Sequence, residues 1–330
     1  MTSSRLAVLA LLGAASLALA QDASGPRVRP ATVTAIPGVV AAQAGWTVAW
    51  QGTDNADGLV GTPDGGLLFA QEQPSRVRRL DADDLASVFV EDTHGTGSLA
   101  LDARGRLYGV QRTCTDPGRN GAPCHEPTAI AVIYPPDQRR TLATAVAGRP
   151  LGRINDLVID GRGHVYFTSG GAFHLSPGGV VRTVGENLRT NGIMLSRDEK
   201  TLYVTNGPVV VAFDVQADGT AANPREFGRL EAGGGGDGLA IDAEGRLYIT
   251  SNPGVQVLDR DGKYLGLIPT PRAVISVAFA GPDKGTLYVV GSGALNADGT
   301  EAVTPQGVRN NAKTIYRLPM VARGHRGRAK

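Results

Sequence analysis

The chain has 330 residues with 33 Lys and Arg against 31 Asp and Glu, a formal net charge of +2 that gives no footprint for a nucleic-acid partner. Its 45 glycines and 2 cysteines suit a turn-rich β protein and exclude a disulfide-dense miniprotein. No apolar run after the first 20 residues approaches the ~18 residues a membrane span needs, so no membrane span is expected.

Residues 1–20 combine Arg5, an apolar stretch from Leu6 to Leu19 and an Ala18-Leu19-Ala20 cleavage signal, and are read as a secretory signal peptide. An exported protein, periplasmic or secreted, is therefore expected, without a lipid anchor because no Cys lies near the cleavage site. Residues 21–34 follow as a leader segment.

From there one short phrase repeats: apolar run, turn, apolar run. Its copies start at Leu59, Leu99, Leu157, Ile193, Leu239 and Val277. The starts are about 36 to 58 residues apart, within the range of propeller blades. Gly-containing turns at Pro63-Asp-Gly-Gly, Ala103-Arg-Gly, Gly161-Arg-Gly and Ala243-Glu-Gly join the two runs, which makes each copy a hairpin. Val209–Asp214, Val255–Asp259 and Ile315–Leu318 supply outer strands. The expectation is one all-β domain, a six-bladed β-propeller over residues 35–320 closed by pairing of its terminal strands. Two β-sandwiches are the alternative, but sandwich strands need no fixed period.

Cys114 and Cys124 bracket a Pro- and Gly-rich stretch with neither strand nor helix periodicity. In an oxidising compartment they are expected to form a loop-closing disulfide. A metal pair is the lesser reading, since His125 alone does not complete a ligand set.

Two places before the first apolar position of each copy stand Asp57, Gly97, Asn155, Asn191, Asp237 and Ile275. The innermost strand of each blade lines the channel, so Asp57, Asn155, Asn191 and Asp237 are expected to face one another across it. Two carboxylates and two amides form a hard oxygen set suited to Ca2+ or another hard divalent ion. Turn residues are the plain reading of any one Asn-Gly or Asp-Gly, but four at one register position argue for a site. Arg153 lies two residues before Asn155 and is expected at the channel mouth. Asp156, next to Asn155, should point the other way as a structural group. His94, His125, His164 and His174 share no register and are read as surface or structural. Residues 321–330, with Arg323, His325, Arg326, Arg328 and Lys330, are read as a disordered basic tail.

At these residues the chain resembles the senescence-marker-protein/gluconolactonase family, also called regucalcin-like. The matching phrases are Arg153-Ile-Asn-Asp-Leu-Val-Ile-Asp160, Thr190-Asn-Gly-Ile-Met-Leu-Ser196 with Leu202-Tyr-Val-Thr205, and Asp237-Gly-Leu-Ala-Ile-Asp-Ala-Glu-Gly245. The resemblance implies a six-bladed propeller holding a divalent ion, commonly calcium or zinc, in its channel. It places the metal ligands on Asp57, Asn191 and Asp237, a further channel Asn binding substrate or metal on Asn155, and a substrate-contacting Arg on Arg153. Many members hydrolyse sugar lactones. Two positions depart from the pattern: Asp57 stands where the family usually has Glu, one methylene longer. Gln111-Arg112 and the Cys-bracketed insertion stand where sugar lactonases often place a His-containing segment.

The leading expectation is a metal-dependent hydrolase of a sugar lactone or related small-molecule ester, with Ca2+ as cofactor ahead of Zn2+ or Mg2+. The ion would polarise the carbonyl, and Asp237 or a water beside it would act as base. The competing expectations are a non-catalytic metal-containing propeller that binds a sugar or protein partner, and an organophosphate or aryl-ester hydrolase. A monomer is expected.

Overall fold

The computed structural model describes residues 28–113, 126–296 and 313–327, together with residues 298, 300 and 302. The signal peptide at 1–20 and the Cys114–Cys124 pair lie outside the described residues.

The repeated phrase folds as hairpins because its two apolar runs are joined by turns that the sequence closes locally. In three blades an Asp heads the turn. The carboxylates of Asp102, Asp160 and Asp242 accept backbone N–H bonds from the residues two and four places on, at 2.8 to 3.0 Å. Asp side chains stabilise turns in this way. Gly105, Gly163 and Gly245 complete the three turns with φ of 78°, 92° and 85°, a left-handed conformation that costs a glycine little.

Each hairpin grows outward into a four-stranded antiparallel sheet, and the described residues contain six such sheets. From the channel outward, blade one is Asp57–Gly61, Leu67–Gln71, Arg76–Leu80 and Ala86–Val90. Blade two is Thr96–Leu101, Leu107–Gln111, Ala129–Tyr134 and Arg140–Ala143. Blade three is Leu157–Ile159, Val165–Thr168, Ala172–Leu175 and Val181–Val184. Blade four is Ile193–Leu195, Thr201–Asn206, Val209–Val215 and Ala221–Arg229. Blade five is Leu239–Ile241, Leu247–Ser251, Gly254–Leu258 and Tyr264–Pro269. Blade six takes Val274–Ala280, Thr286–Ser292 and Lys313–Pro319 from the end of the chain and its outermost strand, Thr47–Gln51, from the beginning. Thr47 pairs with Arg317 and Gln51 with Thr314, so the ring is closed by antiparallel pairing of its two ends. The protein is a six-bladed β-propeller, and all six repeat starts are buried residues of innermost strands.

The core lies between neighbouring blades. Tyr166 of blade three, Met194 and Phe213 of blade four and Leu239 and Leu247 of blade five share one cluster, for example, all of them buried. Such burial is worth roughly 1.5–3 kcal/mol for each large side chain.

One expectation fails here. Residues 321–327 are not a disordered tail. The amides of Val321 and Ala322 both donate to the Val39 carbonyl at 3.1 Å, Gly324 donates to Lys284 O at 2.9 Å and His325 to Ile241 O at 3.2 Å. The basic side chains that suggested a solvated end leave the backbone free to pair, and Ala322 is buried.

Candidate functional site

At the channel end where the innermost strands begin, Asp57, Asn155, Asn191 and Asp237 line one cavity of about 150 Å3, together with Arg153, Asp156 and Arg112. Larger cavities of about 390 to 420 Å3 contain none of this column. The smaller cavity is the candidate site because the repeat itself builds it.

Local chemistry fixes each member. Glycine follows three of the four. A Cβ at Gly192 would lie 2.0 Å from the Asp237 carbonyl oxygen, and one at Gly238 would lie 2.8 Å from Ile275 O. The bare glycines therefore let each entrance strand press against the next blade. At Gly58 the backbone is left-handed, with φ of 53°, and its N–H donates back to the Asp57 carboxylate at 2.8 Å.

Behind the ring, the second strands of blades three, four and five carry Tyr166-Phe-Thr168, Tyr203-Val-Thr205 and Tyr248-Ile-Thr250 at or next to their last residue, and all three threonines are fully buried. The Thr168 hydroxyl donates to the Asn191 carbonyl. Thr205 Oγ1 accepts from the amides of Asn191 and Gly192 at 3.1 and 2.9 Å, and Thr250 donates to Ile275 O at 3.1 Å. Each threonine thus sets the backbone that aims a channel residue. They were visible in the sequence as a second in-register column.

Asp156 has the structural place expected of it. Its carboxylate accepts from Ser98 Oγ at 2.8 Å in blade two, Leu157 N at 2.9 Å in its own blade and Ile193 N at 3.1 Å in blade four. A single buried side chain ties three blades together.

Two further charges reach the site from outside the column, and the sequence reading assigned neither to it. Arg112, at the end of the second strand of blade two, has its guanidinium 3.2 Å from Asp57 Oδ2 and also pairs with Glu72. Lys313 begins the third strand of blade six, and burial pulls its ammonium below the usual lysine range, opposed by the charges of Asp57 and Asp237. Asp237 is held well above the ordinary carboxylate range, first by burial and then by the neighbouring carboxylates Asp57 and Asp156, with Lys313 and Arg112 opposing. Among the described residues no hydrogen bond is made by the side chains of Asn155, Asn191 or Asp237. Those three present unclaimed oxygens to the cavity, whereas Asp57 is already engaged.

The histidines stand elsewhere. His94 pairs with Glu126 at 3.0 Å near the surface, and His125 lies outside the described residues. His164 Nδ1 and His174 Nε2 are 2.8 Å apart and buried, beside the hairpin turn at the opposite end of blade three. Burial, His164 and Arg182 depress the His174 imidazole to about 4. Among the described residues no group of three or more His, Cys, Asp or Glu could hold a metal by themselves. Any cation here would need the two amides as well as the two carboxylates.

A family model described as the SMP-30/gluconolactonase/LRE-like region matches residues 76–293, about two thirds of the chain. The chain belongs to this family. Among its relatives, a pentonolactonase (XacC) of Haloferax volcanii is 31% identical over 187 residues, which cover 52% of this chain and 64% of that protein. A gluconolactonase of Zymomonas mobilis is 28% identical over 186 residues, covering 47% and 52% respectively. The matches thus span between about half and two thirds of these curated relatives. Of solved structures, a gluconolactonase of Xanthomonas campestris superimposes with a TM-score of 0.66 at 23% identity over 91% of this chain and 96% of that one, a likeness of fold.

Proposed function

We propose that this member of the family is a lactone hydrolase that opens a sugar lactone or related ester, aided by a divalent cation, Ca2+ first, in the blade-entrance ring. The observation that carries the reading is the convergence of Asp57, Asn155, Asn191 and Asp237 on one cavity, with Arg153 beside them. Relatives named as a pentonolactonase and a gluconolactonase support the substrate class.

The donor set fits such an ion. It offers carboxylate and amide oxygens with no thiolate or imidazole. Asp237, crowded by burial and two other carboxylates, is a group whose ionised form a cation would relieve. Asp237, Asn191 and Asn155 would hold the ion with Asp57 at their side. When bound, the cation would polarise the acyl carbonyl and offset the charge that develops on its oxygen.

The chain's own residues do the rest. Asp237 takes a proton from the attacking water as the general base. The water oxygen adds to the acyl carbon, the ring C–O bond breaks, and the proton passes to the departing alkoxide, leaving a hydroxy acid. Arg153, exposed at the rim, donates to ring hydroxyls or the acyl oxygen, and Asn155 orients a neighbouring hydroxyl. Export through the segment at 1–20 would place this chemistry outside the cytoplasm.

A panel of five- and six-membered sugar lactones and simple esters, assayed by acid release with chelator and with Ca2+, Mg2+ or Zn2+ restored, tests the reading. Turnover should fall with chelator, return with the ion, and vanish in folded Asp237→Ala. Tight ion binding without turnover on any substrate would instead leave a non-catalytic metal-containing propeller.

A further inference from the structure

The entrance ring has a gap in blade two, where the column reads Gly97. A Cβ at Gly97 would fall 1.9 Å from Arg112 Nη2 and 2.1 Å from its Cζ. The missing side chain is therefore the condition for the guanidinium to occupy blade two's place in the ring. Arg112 is only 2% exposed there. Its Nη1 donates to the Ile154 carbonyl, one residue before Asn155, at 3.0 Å. Its Nη2 lies 3.2 Å from Asp57 Oδ2 and pairs with the buried carboxylate of Glu72. The remaining Asp57 oxygen accepts the Gly58 amide at 2.8 Å. Both oxygens of the first-blade carboxylate are thus engaged within the protein.

A guanidinium keeps its charge at any physiological pH. Two like charges a few Å apart in a partly dry site repel by kilocalories rather than tenths. A dication drawn to Asp57 must either displace Arg112 from Oδ2 or accept it as a close neighbour. Glu72, on the far side of Arg112, shares the guanidinium charge and so moderates that opposition.

We propose that Arg112 is a resident cation that competes with the divalent ion for Asp57 and thereby sets the ion affinity of the ring, with Glu72 governing how strongly it competes. This rests on the metal site of the preceding subsection. The ring then holds its ion exchangeably, with Asp237 as the principal anion and Asp57 as a carboxylate already half neutralised.

Calcium titration calorimetry on the chelator-stripped full chain separates the possibilities, using wild type, Arg112→Met and Glu72→Gln. Arg112→Met should bind Ca2+ at least tenfold more tightly. Glu72→Gln, which keeps a hydrogen-bond acceptor but releases the whole guanidinium charge toward Asp57, should bind severalfold more weakly. Loss of a merely structural contact would weaken both. Equal or weaker binding by Arg112→Met with a native near-ultraviolet dichroism spectrum overturns the assignment. If Arg112→Met does not fold, Glu72→Gln binding as tightly as wild type overturns it instead. Ca2+ binding by none of the folded proteins overturns the metal site itself, a result distinct from equal binding by all.

Discussion

Asp156 offers the sharpest test of how the site is held together. Replacing it with Ala removes the acceptor for two buried amides, Leu157 N and Ile193 N, and for the Ser98 hydroxyl. The hydroxyl can turn to another partner, but the amides are fixed by their strands. A buried donor left unsatisfied costs ~1–3 kcal/mol, so Asp156→Ala should destabilise the propeller by about 4 kcal/mol. For a domain of this size that corresponds to a fall in Tm of roughly 6–8 °C. Asp156→Asn keeps one oxygen and turns an N–H toward one of the amides, and should lose about half as much. Urea and thermal unfolding of the three proteins, followed by near-ultraviolet dichroism, reads both numbers. A loss below ~1 kcal/mol for the Ala variant, or a larger loss for Asn than for Ala, would refute the idea that this carboxylate joins blades two, three and four.

The buried histidine pair predicts acid sensitivity. His174 titrates near 4 when folded against about 6.5 unfolded, so its contribution is fully present above pH 6.5 and is lost as the pH falls toward 4, by up to about 3 kcal/mol. His174→Phe should flatten that part of the stability-against-pH curve, and an unchanged slope between pH 6.5 and 4 would count against the assignment. Gly192→Ala drives a methyl into the Asp237 carbonyl and should cost ~3 kcal/mol or more, with any ion affinity lost in parallel. A stable, normally binding Gly192→Ala protein would mean that the blade contact is not as tight as described.

The column Asp57, Asn155, Asn191, Asp237 was legible because each residue sits at the same offset from a hairpin start, and a hairpin's register is fixed within a few residues of chain. Thr168, Thr205 and Thr250 were legible for the same reason, at the other end of the second strand. Arg112 and Lys313 were not. Arg112 enters the ring from the end of a second strand, through a space that only Gly97 leaves, and Lys313 comes from a third strand about 250 residues from Asp57. Neither shares the repeat's offset, and no local pattern announces that a long side chain will cross between strands. His164 and His174, ten residues apart, looked unrelated because their contact runs across two antiparallel strands and a turn. The tail misled for the opposite reason: its charged composition describes its side chains, while its order comes from backbone groups meeting Val39, Ile241 and Lys284.

By itself the sequence determined the six hairpins, their closure into a ring and the four oxygen-bearing side chains at one level of that ring. All of these follow from periodicity and short-range turn chemistry. Only the tertiary structure decided that blade two contributes a guanidinium instead of an oxygen, that Glu72 and Ile154 hold it against Asp57, and that Asp237 is left as the least compensated charge. Those outcomes depend on distances between residues remote in the chain, and electrostatic energy is set by such distances and by burial, which no spacing along the sequence records.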